Sequence, residues 1–543
     1  MSNYTTQLTG GRLGEMFESA TEAFLDRIDP KIHADAYVGE HTGGFAETEF
    51  AGKYLSTCVH YAEYFTSVNQ PEKAAKALDH ARIVAQSIIE NQRGDGYIGG
   101  LETGRESSGF SVWNQAFTML GLIAYHTLTG DEKALRSAER IAEYNAELFM
   151  SRKADILAGG NNGSQHISIL LPLVRLSRLV NNPTVPLFAH YIVSMLRASD
   201  NNFFEFDSIF DLRSKKGIEN FVILLGILEY GEEFDDTDAI LACEKYWNEL
   251  EATQIRENGN GTLFEVWTEN GNSPRMLGLD LKPDENCVAV GWIEFSLALY
   301  YRSHAPKYLD AVERALYNHL LGAVSDDGSD FAYYQPNFGH RVTKTAESMY
   351  KCCRYRGYSA VSHLTDMLFL AEGETILPLV YTDSHYEDDD ISIDERSTYP
   401  YSNEVSFSLN FKHECHRKFV LRVPAAAKSV KVMLDREELD AVPECGVIPL
   451  SISADSLHEL KLIFDIEPEM KEVEIDGVKR VGITNGCILL AAETDGDPDS
   501  VRIDKDAPIV RKEGFIFDVG GVSCTDYASA GRKHNFIVWA KEK

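Results

Sequence analysis

The stretch SMYKCCRYRGY sets two adjacent cysteines, Cys352 and Cys353, among tyrosines and arginines. Upstream, PDENCVAVGWIEF places Glu285 and Cys287 two positions apart at the entry to an apolar helical run. In an extended entry segment, alternate side chains project to the same side. Three thiolates and one carboxylate form a donor set that Zn²⁺ accepts, because the ion takes sulfur and oxygen ligands tetrahedrally. Spacing alone leaves two readings open. The four residues are either a Cys3Glu zinc site or separate small core residues, since free cysteine is among the most buried types and the paired CxxC zinc signature is missing.

A second constellation is rich in carboxylates. NGNGTLFEVWTENGN holds Glu265 and Glu269 in a Gly/Asn-rich loop beside Trp267. Cleaving a glycosidic bond needs a proton delivered to the leaving oxygen, and a carboxyl against an aromatic ring has the raised pKa that suits this task. The aromatic face itself suits sugar C–H surfaces. Softer candidates are Tyr333 and Tyr334 in DFAYYQPNFGH, His166 in GGNNGSQHISILLPL, and Glu47 and Glu49 in GEHTGGFAETEF. Residues of these types are also common as satisfied core or capping groups.

The elements that must position these residues change character once along the chain. From residue 11 to about 370, apolar residues recur at helical spacing in blocks such as AGKYLSTCVHYAEYF and CVAVGWIEFSLALYYR, separated by short Gly/Asn/Asp/Pro connectors. About a dozen paired helices point to an (α/α)6 barrel with a buried inner ring, and an open solenoid of helical hairpins is the competing arrangement. Beyond about residue 370, short period-two segments such as EVSFSLNF and KFVLRVP predict an antiparallel β-sandwich, or two small ones. The expected class is α+β multidomain, with a barrel over 1–370 and β-sandwich domain(s) over 371–543. The acidic run YEDDDISIDE at 386–395 is expected to be a solvated loop or edge.

Composition narrows the partners. A chain of 543 residues that is 44% hydrophobic and 25% charged has enough apolar surface for real cores, so disorder is not expected. A net charge of −32 argues against nucleic acid and anionic membranes, which are bound by Lys/Arg clusters that this sequence lacks, and leaves a neutral sugar compatible. No apolar run reaches membrane-spanning length and no secretory leader pattern opens the sequence. The nine cysteines are odd in number and scattered, which predicts reduced thiols in a soluble, cytoplasmic protein. A homodimer is compatible with these features.

Taken together, the segments YWNELEATQI, FEVW, ENCVAVGWIEFSLALYYRS, YLDAVERALYNHLLGAVSDDGSDFAYYQP and the CC pair resemble glycoside hydrolase family 127, the zinc- and cysteine-dependent β-L-arabinofuranosidases. The likeness extends over roughly residues 40–435. It implies an (α/α)6 barrel with Zn²⁺ held by Glu285, Cys287, Cys352 and Cys353, in a retaining enzyme acting on a non-reducing terminal sugar. It further implies Cys352 as nucleophile and Glu265 as acid/base, with Glu269 the runner-up. The resemblance matches Tyr333 to a substrate-contacting tyrosine and His166 to a sugar-binding histidine, and Trp267 is expected to join them through its aromatic face. Two departures stand out: the cysteines continue as CCRYRGYSAV, and KKGIENFVILL lacks the family's sugar-binding histidine. The alternatives are another carbohydrate-active (α/α)6 hydrolase with a different sugar, or a non-catalytic zinc-containing sugar-binding protein.

Overall fold

The structure, a computed structural model, describes residues 4–39, 47–99, 110–205, 207–269, 283–343, 352–475 and 477–543. Twelve principal helices form its first part: α1 (Gly11–Arg27), α2 (Glu47–Ser67), α3 (Pro71–Asn91), α4 (Ser111–Thr129), α5 (Glu132–Met150), α6 (Leu170–Ser177), α7 (Thr184–Arg197), α8 (Gly217–Glu233), α9 (Thr237–Thr253), α10 (Asn286–Ser303), α11 (Pro306–Arg314) and α12 (Cys352–Ser362). Their ends follow local chemistry. Asp131 and Asp236 accept backbone N–H groups at the starts of α5 and α9, Gly130 ends α4 in the left-handed conformation, and Pro occupies the first turn of α3 and α11.

Even- and odd-numbered helices have different environments. α2, α4, α6, α8, α10 and α12 pack each on the next, and α12 packs on α2, so the circuit closes on itself as an open stack of hairpins does not. The odd-numbered helices pack outside, each against an even-numbered partner. Accordingly α8 and α10 are buried along nearly their whole length, whereas α5 buries one stripe. The α2–α4 contact is close enough to need glycine on both sides. A Cβ on Gly52 would stand 2.5 Å from the Phe117 backbone, and one on Gly121 would stand 2.9 Å from the Gly52 carbonyl.

The second part holds three sheets among the described residues. A seven-stranded antiparallel sheet includes Ile391–Ser397, Glu404–Phe411 and Leu457–Phe464, and its edge strand is Thr5–Leu8, from the start of the chain. A four-stranded sheet pairs Thr375–Pro378 with Cys415–Arg422 in parallel, and a ten-stranded sheet pairs Arg502–Ile503 with Ala540–Glu542 in parallel. The expectation of purely antiparallel pairing is therefore corrected to mixed, since chain segments that leave one sheet return to it in the same direction after a crossover. The acidic run also differs from expectation. It forms a hairpin of Ser384–Glu387 and Ile391–Ser397 in which Glu395 is fully buried, accepting from the Thr382 N–H and the Ser384 hydroxyl, while Asp388 and Asp390 pair with Arg417.

The sheets clamp the helical part at the segment that carries the tyrosines. Phe338–Gly339 pairs with Asn535–Ile537, the Tyr527 hydroxyl donates to the Pro336 carbonyl at 3.0 Å, and buried Arg341 donates to the Ala530 and Tyr527 carbonyls at 2.9 and 2.5 Å. A second tie is ionic: Arg422 on a strand is buried against Glu313 and Asp310 of α11. Removing one member of such a buried pair costs more than the pair contributes, because it strands the other charge.

Candidate active site

Glu285 stands immediately before α10 with extended backbone, and Cys287 lies in that helix's first turn. Their placement is fixed from below. The Asn260 amide donates to the Glu285 carbonyl at 2.7 Å, and the Asn286 N–H donates to the Tyr333 carbonyl at 2.9 Å. The neighbouring Asp284, fully buried at positive φ, is held by Arg256 and by the amides of Asn258 and Asn337 at 2.7 and 3.1 Å. Cys352 and Cys353 open α12, and the Asn286 amide donates to the Cys353 carbonyl at 3.0 Å, tying the two helix starts together. Residues 344–351, which lead into the cysteines, lie outside the described residues.

Four donor atoms converge here. One ligand atom each from Glu285, Cys287, Cys352 and Cys353 lies within 4.8 Å of the others, with Cys353 Sγ 3.2 Å from Cys287 Sγ and 3.7 Å from Glu285 Oε1. Glu285 Oε2 is buried with no hydrogen-bond partner among the described residues, which an isolated carboxylate would not tolerate. A soft-and-hard Cys3Glu set around an orphaned oxygen fits a tetrahedral divalent metal such as zinc.

The electrostatics separate the four. Hydrogen bonds from the Cys287 and Cys353 thiols, aided by the Lys53 ammonium, hold the Cys352 thiol well below its ordinary range despite burial. Burial pushes the Cys287 and Cys353 thiols up. The positive N-terminal ends of α10 and α12 both point at the cluster, which further favours anionic sulfur. Burial also pushes the Glu285 carboxyl up to about 7, with Lys216 opposing and Cys352 reinforcing the rise. The folded, metal-free chain therefore keeps a proton between about pH 4.5 and 7 that the unfolded chain has released, so its stability falls as pH rises through that window. In chelator-treated protein we expect urea denaturation to show a loss of about 3 kcal/mol from this group across the window. Glu285→Gln is expected to remove that part of the slope, while the part owed to Glu313, likewise pushed up to about 7 by burial, persists.

Glu265 sits on the other side of Tyr333. It and Phe264 adopt positive φ of 69° and 50°, a strained pair of non-glycine residues of the kind that collects at functional sites. The strain is held by backbone bonds: the Gly217 N–H donates to the Glu265 carbonyl at 2.9 Å, and the Trp267 N–H to the Lys215 carbonyl at 2.9 Å. The Tyr333 and Tyr334 hydroxyls both donate to Glu265 Oε1, at 2.6 and 2.9 Å, while Lys216 pairs with Oε2. The Tyr333 hydroxyl is also 3.7 Å from Cys352 Sγ. One phenol oxygen thus bridges the carboxylate and the thiol.

Other expected residues lie elsewhere. Trp267 is buried, its indole N–H donating to Asn220 at 3.2 Å and its ring edge-on to Phe221 at 5.6 Å; it anchors the loop and offers no open face to a sugar. His166 is buried under Gly159, its Nδ1 3.2 Å from the Asp155 carbonyl and its ring against Phe149 at 5.0 Å. Its neighbours Ser164 and Gln165 instead reach Glu219 on α8. Glu269 is exposed, and the loop after it, 270–282, lies outside the described residues. The RYRG stretch packs away from Glu265: Arg354 donates to the Ser329 carbonyl at 2.8 Å, Arg356 pairs with Glu294 at 2.6 Å, and Gly357 leaves room for the Phe331 ring.

Two groups were missed. Lys216 stands in KKGIEN, where a lysine before a helix draws no attention; its contact with Glu265 arises from a single bridge between Lys216 and Val266. Lys53 is the second: on α2 it forms a buried ion pair with Glu49, itself a sequence candidate and now seen in the first turn of that helix, and its ammonium is 4.4 Å from the Phe117 ring centroid. Two charges four apart inside an otherwise apolar helix face were the available signal.

A helical domain backed by sheets thus brings a cysteine cluster and a glutamate together on one tyrosine, and the chain is a glycosidase. The family model for the β-L-arabinofuranosidase GH127 catalytic domain matches residues 1–366, and the chain belongs to that family. It is 20% identical to the non-reducing end β-L-arabinofuranosidase of Bifidobacterium longum subsp. longum, over 87% of this chain and 80% of that one. Its fold is that of a GH127 β-L-arabinofuranosidase from Geobacillus stearothermophilus T6, with a TM-score of 0.77 at 16% identity over 99% and 100% of the two chains. A second GH127 β-arabinofuranosidase structure gives a TM-score of 0.80 at 15% identity over 99% and 97%.

Proposed function

We propose that the chain is a retaining β-L-arabinofuranosidase-type enzyme that removes a non-reducing terminal sugar, with Cys352 as nucleophile and Glu265 as acid/base. The observation that carries this reading is the Cys352–Tyr333–Glu265 bridge. Contacts of 3.7 and 2.6 Å to one oxygen bound the thiol–carboxylate separation at about 6.3 Å. Inverting glycosidases hold their two groups roughly 6.5–9.5 Å apart to seat a water between them, and retaining ones roughly 5–5.5 Å. The bound favours direct attack.

In the first step Cys352 Sγ attacks the anomeric carbon as the glycosidic C–O bond breaks, and Glu265 gives its proton to the departing oxygen. In the second, Glu265 takes a proton from water, the water oxygen bonds to the same carbon, and Sγ leaves with its electron pair. Two inversions give net retention. Tyr333 and Tyr334 orient Glu265 through its Oε1, and Lys216 holds its Oε2. Zn²⁺ held by Glu285, Cys287, Cys352 and Cys353 would supply a Lewis acid that keeps these sulfurs as thiolates.

We read the closed circuit of even-numbered helices as an (α/α)6 barrel and the sheets behind it as β-sandwiches. No helix of the described residues is long and apolar enough to cross a membrane. All nine cysteines are free, which suits a reducing, cytoplasmic setting. A second reading, a different terminal furanoside or pyranoside, is favoured by one observation: α8 carries buried Glu219, bonded to Asn161, Ser164 and Gln165, and no histidine. A panel of nitrophenyl glycosides tests both. β-L-arabinofuranoside hydrolysis that a chelator abolishes and zinc restores is the expected result; cleavage of only another glycoside would move the assignment to that sugar, and cleavage of none would refute it.

A further inference from the structure

Beyond the thiolate cluster, a cavity of about 460 Å³ occupies the middle of the helical circuit. All six even-numbered helices line it, through residues such as His60, Ala124, Arg175, Glu229, Tyr301 and Ser359. On α10 and α12 the catalytic candidates occupy the first turn, whereas the cavity residues come later, so the cavity lies toward the opposite ends of these helices. Its rim carries the second convergent donor group among the described residues: His60, His363 and Asp366.

We propose that His60 Nε2, His363 Nδ1 and Asp366 Oδ2 form a divalent-cation site, separate from the thiolate cluster, that takes a borderline transition metal such as Zn²⁺, Co²⁺ or Ni²⁺. The three atoms are already assembled. His60 Nε2 is 2.7 Å and His363 Nδ1 2.9 Å from the same carboxylate oxygen, and all three lie within 4.8 Å of one another. Ligand atoms at about 2.0–2.2 Å from one metal stand roughly 3–3.5 Å apart, so capture needs small adjustments rather than refolding.

The approach of the two rings supports the same conclusion. Their centroids are 3.7 Å apart, so both imidazoles already stand side by side at one carboxylate oxygen, and a bound ion would displace the protons that their facing nitrogens donate to that oxygen. His363 and Asp366 share one short 3-10 helix, His60 comes from α2, and the Tyr301 hydroxyl of α10 donates to the Asp366 carbonyl at 2.8 Å. Three elements therefore converge on the site. Two imidazoles and one carboxylate select zinc, cobalt or nickel over calcium or magnesium, which prefer all-oxygen sets. Three protein ligands beside a cavity leave further positions for water, the pattern of an open site. A bound ion would pin α2 to the turn from which the chain enters its sheets at Phe369.

The test counts metal. Full-length protein is stripped with chelator under reductant, dialysed against micromolar Zn²⁺ or Co²⁺, and assayed by elemental analysis. Each of His60→Ala, His363→Ala and Asp366→Asn is expected to lose one equivalent relative to wild type, with nitrophenyl-glycosidase activity and circular dichroism unchanged. Cobalt separates this site from the cysteines: the lost equivalent carries only weak visible bands, while Cys353→Ser removes the intense thiolate charge-transfer band. If none of the three variants loses an equivalent, or if the loss appears only at millimolar metal, the site is an adventitious surface cluster and the proposal is overturned. That outcome leaves the thiolate site untouched, since its metal is read from the Cys353→Ser difference.

Discussion

Cys352→Ser is expected to lower turnover by at least about three orders of magnitude while the protein keeps its circular dichroism and thermal transition. Cys352 is the one thiol of the cluster held below its ordinary range, and its Sγ is 3.7 Å from the Tyr333 hydroxyl that reaches Glu265. Serine replaces sulfur with an oxygen that stays protonated at neutral pH, so attack on the anomeric carbon loses its anion. Fold retention is expected because Cys352 is only partly buried and serine is slightly smaller. The comparison that isolates the role is Cys353→Ser. Cys353 is fully buried against Cys287 and Glu285, so its loss is expected to reduce bound metal and stability together with activity. Near-native activity in Cys352→Ser, measured on the best nitrophenyl substrate, would assign the nucleophile elsewhere.

The contrast between these neighbouring cysteines shows where sequence reading succeeds. Local periodicity revealed the helices because each outer helix exposes one face, as α5 does, and flanking segments picked out Glu285, Cys287 and the cysteine pair. What local patterns cannot carry is pairing at a distance. Thr5–Leu8 joins a sheet whose next strand begins at Ser384, and Phe338–Gly339 pairs with Asn535–Ile537. Trp267 illustrates a subtler failure. Two positions after Glu265, it would share that residue's side in a regular extended segment, but the left-handed backbone at Phe264 and Glu265 breaks the alternation and turns the indole inward to Asn220. The RYRG stretch turns away from Glu265 for a related reason: helical geometry sends Arg356 toward Glu294 and the axial cavity, one turn beyond Cys352.

Glu265→Gln is the sharper test of the proposed chemistry, with an expected loss of about 10²–10⁴-fold in kcat on substrates with poor leaving groups. The glutamine carbonyl can still accept from Tyr333 and Tyr334, so the loop keeps two of its ties. Its amide, however, would face the Lys216 ammonium donor to donor, and some stability loss is expected there. Activity is therefore read in a way that a merely loosened loop would not mimic. With a dinitrophenyl leaving group, departure needs no proton, so Cys352 is expected to be glycosylated at near-normal speed and the defect to move to the second step. Azide needs no general base; it attacks the anomeric carbon directly, frees the Cys352 thiolate and yields a glycosyl azide of retained configuration. Azide rescue of Glu265→Gln, absent in Cys352→Ser, places the carboxylate and the thiolate in successive roles at one carbon. Equal losses on nitrophenyl and dinitrophenyl substrates without rescue would reduce Glu265 to a structural partner of Lys216. Exposed Glu269→Gln serves as the matched control and is expected to stay within about twofold of wild type, because surface changes away from the reacting groups have small effects.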